Sequence, residues 1–147
     1  MSDISINNLE KLVQSQLIFL QTNPGDITTM YSIGNNLAGL GKWSEAVSYF
    51  ERILNHDPKD HETLNAIGAV YLKMKKYDKA ASVLKLALSL WTKEPAYHAN
   101  FGDAMFAINQ PDLARKAYEQ ALALALPGED IVERLQLALK ELLRLQR

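Results

Sequence analysis

Three histidines are the side chains of this sequence whose charge can change near neutral pH, so chemistry would be sought there first. His56 and His61 flank an Asp57-Pro58 turn, and His98 falls where a large packing residue is wanted. No pair of them has the i, i+4 spacing that puts two imidazoles on one helix face, so no metal is expected. Ser44 and Ser82 stand in no motif that would activate a hydroxyl, and no glycine-rich loop follows a strand to cradle a phosphate. Cysteine is absent, which excludes disulfides, thiolate zinc sites, iron–sulfur clusters and cysteine nucleophiles. The expectation is a chain without catalytic residues, metal or cofactor. Lys73, Lys75, Lys76 and Lys79 form a local basic cluster, read either as a solvated helix end or as a rim that receives an acidic partner.

The bulk properties are those of an ordinary globular protein and not of a disordered one. The 147 residues are one domain's worth of chain, with 48% hydrophobic and 22% charged residues. Sixteen Lys and Arg against seventeen Asp and Glu give a net charge of −1, so no nucleic-acid partner is expected, since neutralising phosphates needs a basic excess. No apolar run is long enough to enter a membrane. The opening Met-Ser-Asp-Ile lacks the basic region and long apolar run of a secretory signal, so a cytoplasmic location is expected.

The elements that must position any site follow from an internal repeat. Gly34, Gly68 and Gly102 are evenly spaced along the chain, and Ala46, Ala80 and Ala114 keep the same step. A large apolar residue precedes each glycine, and Phe50, Leu84 or Tyr118 lies one helical turn beyond each alanine. Pro24 and Pro58 share the step as well. Apolar residues between these markers recur at helical spacing: Met30, Ile33, Leu37, Leu40, then Ala46, Val47, Phe50, Ile53. Asp26, Ser44, Asp60, Asp78 and Asp112 stand where helix N-caps are wanted, and Pro95 suits a first turn. A mid-helix glycine costs about 1 kcal/mol against alanine. Three of them predict close approach between paired helices, with Ala46, Ala80 and Ala114 opposite.

This pattern resembles the tetratricopeptide repeat, a pair of helices with a 34-residue period. The resemblance implies an all-α, right-handed solenoid in one domain over 1–147. A leading helix at 5–22 is in phase with the second helices. Repeats follow at 27–60, 61–94 and 95–128, and a capping helix at 129–146. The cap carries an apolar stripe of Ile131, Val132, Leu135, Leu139, Leu142 and Leu143. Trp43, Tyr77, Phe50, Phe101 and Tyr118 are expected in the core.

In such a stack the first helix of each pair lines the inner curve. The residues predicted to form a peptide-binding groove there are Tyr31, Asn35, Ala38, Asn65, Ala69, Leu72, Ala99, Asp103 and Phe106. Small side chains leave hollows for apolar anchors, and asparagines can bind the backbone of an extended peptide. Some proteins of this kind grip a C-terminal carboxylate with inner-face lysines, arginines and asparagines. Asn35 matches one such position, but Tyr31, Ala66 and Ala96 replace polar or basic residues, so no carboxylate clamp is expected.

The layout also resembles the class II translocator chaperones of bacterial type III secretion. The similar strings are Met30-Tyr-Ser-Ile, Gly41-Lys-Trp-Ser-Glu-Ala46, Lys76-Tyr-Asp-Lys-Ala80 and Lys93-Glu-Pro-Ala-Tyr-His-Ala-Asn100. The resemblance implies a cytoplasmic chaperone that holds an extended segment of a hydrophobic translocator in its groove. It also implies self-association, as a homodimer, through the leading helix. A scaffold of the same fold that joins proteins without chaperoning them is the alternative.

Overall fold

A computed structural model describes residues 2–145. Eight helices and no strand make up the described residues: α1 (Asp3–Thr22), α2 (Ile27–Gly39), α3 (Trp43–His56), α4 (His61–Lys73), α5 (Tyr77–Leu90), α6 (Pro95–Ala107), α7 (Pro111–Leu124) and α8 (Asp130–Leu145). Helices α2/α3, α4/α5 and α6/α7 are the most extensively packed pairs. The first helices also touch one another, α2 with α4, α4 with α6 and α6 with α8, whereas α3, α5 and α7 make no such contacts among themselves. First helices that approach and second helices that splay apart give a stack whose inner curve is lined by α2, α4, α6 and α8.

Local chemistry explains the helix ends. Asp26 and Asp60 cap α2 and α4, accepting hydrogen bonds from Thr29 N at 2.7 Å and Thr63 N at 2.8 Å. Pro95 occupies the first turn of α6. Ser44, Asp78 and Asp112 are not N-caps. The caps of α3, α5 and α7 are Lys42, Lys76 and Gln110, none of which makes a side-chain capping bond. The chain enters these helices straight from the preceding turn, so the two acids lie inside the first turn and act on the helix dipole instead.

Each turn within a pair is the same Schellman-type closure. Lys42 N donates to Leu37 O, Lys76 N to Tyr71 O, and Gln110 N to Met105 O, at 2.8–2.9 Å. The closure needs one left-handed residue, and Gly41 (φ 75°), Lys75 (φ 58°) and Asn109 (φ 59°) fill it, one in each repeat and at the same step as the helix glycines.

The glycines admit close approach, and the side chains nearest to them are large. A Cβ on Gly34 would stand 2.5 Å from Phe50 Cε1, one on Gly102 2.5 Å from Tyr118 Cε1, and one on Gly68 would collide with Leu84. The large residue one turn beyond each alanine fills the space over the glycine, because a helical side chain covers the turn N-terminal to its own Cα. Ala46, Ala80 and Ala114 are fully buried in the same clusters as Phe50, Leu84 and Tyr118. Phe50 and Tyr118 are buried as expected, and Tyr77 and Phe101 are half-buried. Trp43 is not a core residue: it starts α3 and is 37% exposed, since the first turn of a second helix overhangs the edge of the stack. On α8, Leu135 and Leu142 are buried, whereas Leu143 lies outside the stripe and is exposed, as is Leu137, because α8 rests on α6 and α7 by one face only.

Candidate peptide-binding groove

The inner curve carries the predicted residues in distinct settings. Ala69 and Leu72 of α4 and Asp103 of α6 converge on one hollow of about 540 Å³, which is also walled by Lys73, Tyr77, Asn100 and Arg134. Helical spacing dictates this: residues 69, 72 and 73 lie on one face of α4, and 100 and 103 on the facing side of α6. Asn65 is half-buried and accepts a hydrogen bond from Asn100 Nδ2 at 3.1 Å, so its amide carbonyl is already engaged. Ala38 is half-buried, Asn35 is exposed, and Phe106 is 42% exposed on the last turn of α6. Neither Asn35 nor Phe106 lines the hollow.

Tyr31 is half-buried, with its ring 5.6 Å from that of Phe50. Burial, with the Glu62 carboxylate next in effect, pushes its phenol up to about 12. Ala99 does not line a surface. It is fully buried in the cluster that includes Ala80 and Leu84, because α6 turns that face onto α5. A methyl group there packs the core and offers a ligand nothing.

Asp103 is not a free acid. Its Oδ1 accepts from the Tyr118 hydroxyl at 2.8 Å and its Oδ2 accepts from the Arg134 guanidinium, tying α6 to α7 and α8. Burial, with Asp103 next in effect, raises the Tyr118 phenol. Sequence reasoning missed Asn100 and Arg134. Asn100 stands inside a quoted string but shares no register with Asn35 or Asn65, and the only signal for Arg134 is a charge opposite to that of Asp103.

Two of the three histidines, His61 and His98, have structural partners. His61 Nδ1 is 2.9 Å from the Tyr97 hydroxyl, and its ring stacks on Trp91 at 5.2 Å and 5°. His98 Nε2 lies 2.8 Å from Thr92 O. Among the described residues no group of three His, Asp or Glu side chains could hold a metal. No described helix is long and apolar enough to cross a membrane. At the clamp-like positions, Ala66 and Ala96 are half-buried methyl groups, Tyr31 packs against Phe50, and Asn35 is exposed.

Two family models, both described as tetratricopeptide repeat, match residues 28–60 and 60–126, together more than half of the chain. The chain belongs to the tetratricopeptide-repeat family. Among curated proteins, this tetratricopeptide-repeat chain is 31% identical over 91 residues to mouse RNA polymerase II-associated protein 3. That match covers 62% of the chain and 14% of the mouse protein's length. Among solved structures, MamA from Desulfovibrio magneticus superimposes with a TM-score of 0.75 at 22% identity, covering 95% of this chain and 86% of that one. PcrH in complex with the chaperone binding region of PopD superimposes with a TM-score of 0.74 at 20% identity, covering 82% and 92%. The likeness to these structures is one of fold.

Proposed function

We propose that this tetratricopeptide-repeat chain is a non-enzymatic chaperone that holds an extended segment of a client protein on its inner curve, in the manner of the type III secretion translocator chaperones. The observation that carries the reading is the hollow between α4 and α6. Ala69 and Leu72 give it an apolar side, next to Lys73, Tyr77, Asn100, Asp103 and Arg134. An apolar anchor of the client fills the hollow, and exposed amides such as Asn35 orient the client backbone. An extended chain advances about 3.3 Å per residue, so roughly five to eight residues bridge Tyr31 to Phe106. The shared fold with PcrH, whose structure holds a chaperone binding region, supports the reading. Self-association, in this proposal, uses α1, where Ile4, Leu12, Ile18 and Phe19 are exposed.

Calorimetry with peptides selected from a random library tests the groove, beside a melting curve for each variant. Ala69→Glu puts an unpaired charge where an anchor sits and is expected to weaken binding more than tenfold in folded protein. Tyr31→Ala with Phe106→Ala is expected to weaken it as well. Unchanged affinity in both variants moves the site off the inner curve.

The similarity to RNA polymerase II-associated protein 3 favours a second reading, an assembly scaffold that joins stable partners. Client behaviour separates the two. A chaperone keeps an aggregation-prone protein in solution during co-expression, and a scaffold leaves that protein's solubility unchanged.

A further inference from the structure

The lysine cluster is explained by the fold only in part: Lys79 stands 6.0 Å from the centre of the Tyr71 ring and Lys73 lies in the last turn of α4. Lys73, Lys75, Lys76 and Lys79 are all exposed, and among the described residues none is in an ion pair. Lys75 also occupies the left-handed turn position that the neighbouring repeats give to Gly41 and Asn109. A side chain with a Cβ is disfavoured there, and the Lys75 ammonium is in no ion pair among the described residues. The cluster is not remote from the groove. Lys75, Lys76 and Lys79 line a hollow of about 630 Å³ between the α4–α5 turn and Ile108, and Tyr77 lines both this hollow and the one that holds Leu72 and Lys73. Asp78 is the one carboxylate on the lysine hollow. In the neighbouring hollow Asp103 is already spent on Arg134 and Tyr118. The local field is therefore positive in a chain whose net charge is −1, and it is contiguous with an apolar anchor site.

We propose that the α4–α5 turn is a recognition rim for carboxylates: the protein segment that places apolar anchors against Ala69 and Leu72 carries a short acidic run beside them. This rests on the groove reading above and adds to it the charge of the partner. Internal Asp and Glu side chains of the segment are recognised, by exposed lysines acting as point charges. The rim sets partner choice and encounter rate, and the groove sets the lifetime of the complex.

Two acetylated and amidated peptides of about eight residues test this. One carries four glutamates next to four alternating Val and Leu residues, and the other has glutamine in place of each glutamate. Fluorescence anisotropy at low salt is expected to show the glutamate peptide binding about tenfold tighter, with the advantage shrinking as salt is raised. Changing Lys75, Lys76 and Lys79, none of which lines the α4/α6 hollow, to Gln is expected to erase the advantage and leave the glutamine peptide's affinity unchanged. Changing Lys59, Lys85, Lys116 and Lys140 to Gln is expected to leave the advantage in place. Lys75→Gly alone is expected to raise the melting temperature and weaken the glutamate peptide.

Equal binding of the two peptides, or an equal loss in the control variant, overturns the rim. So does tighter binding by a single-stranded oligonucleotide or an anionic vesicle, which would make the lysines a site for another class of partner. The groove reading fails separately, when the glutamine peptide's affinity does not respond to Tyr31→Ala with Phe106→Ala.

Discussion

Gly68 and Leu84 show how one residue type fixes the spacing of two helices. The missing Cβ at Gly68 is the space that Leu84 fills, so Gly68→Ala, although it favours helix by propensity, drives a methyl group into a fully buried side chain. Gly68→Ala is expected to destabilise by about 1–3 kcal/mol in urea unfolding. In a Leu84→Ala background the same change should cost much less. The resulting coupling energy identifies the contact, and additivity of the two changes would refute it. Tyr31 and Tyr97 supply a second test at this scale. Burial is the leading cause in each, and both phenols are pushed from 10.0 up to about 12. A pKa raised by folding means that the native state holds its proton more tightly, so the stability it contributes is complete below pH 10 and is lost as pH rises toward 12. Tyrosinate absorbance and circular dichroism followed together should show the loss of helix beginning in that window. Tyr31→Phe, which removes one titrating group, should move its onset to higher pH.

At the scale of elements, α1 and α8 are the helices with one face unpaired. Leu12 and Phe19 of α1 stand one repeat length before Ala46 and Ile53, which are fully buried in α3, yet both are exposed at 48% and 47%. The helix is built for burial on a side that its single neighbour, α2, does not cover. If the chain self-associates, removing residues 1–21 should shift its mass in light scattering toward monomer, and an unchanged oligomer would place the interface elsewhere. Helix α8, the last described helix, differs from the first helices before it. Gln136, one repeat length after Gly102, puts a long exposed side chain where the docking of a further second helix would need a glycine. Leu135 and Leu142 still seal the cluster beneath it. Removing 130–147 re-exposes what those two leucines cover, about 1.5–3 kcal/mol for each, and is expected to lower the melting temperature and raise binding of an apolar dye.

At the scale of the whole molecule, curvature makes the candidate site. Contacts among α2, α4, α6 and α8, without matching contacts among the second helices, bend the stack so that one face is concave. The hollow of Ala69, Leu72 and Asp103 forms where α4 and α6 lie side by side on the inner curve, with Arg134 of α8 also lining it. Leu72→Trp, which fills the hollow from its own wall, should abolish binding of an apolar-anchored peptide and leave the helical circular dichroism spectrum unchanged. Binding that survives this change would place the anchor elsewhere.

The spacing of Gly34, Gly68 and Gly102, the apolar periodicity and the caps at Asp26 and Asp60 determined the helices and their pairing from sequence alone, because these are local rules that repeat with the chain. The inner-face positions of Ala69, Leu72 and Asp103 were legible for the same reason, since the register of a helix fixes which of its residues share a face. Tertiary structure decided the rest. Leu84 stands over Gly68 because the reach of a side chain across a helix crossing depends on the direction of its Cα–Cβ bond. Ala99 is lost to the core because α6 is rotated onto α5. Arg134 reaches Asp103 because α8 docks beside α6. Each is a contact between elements whose relative placement is set by how several helices pack at once, and no spacing along the chain encodes that.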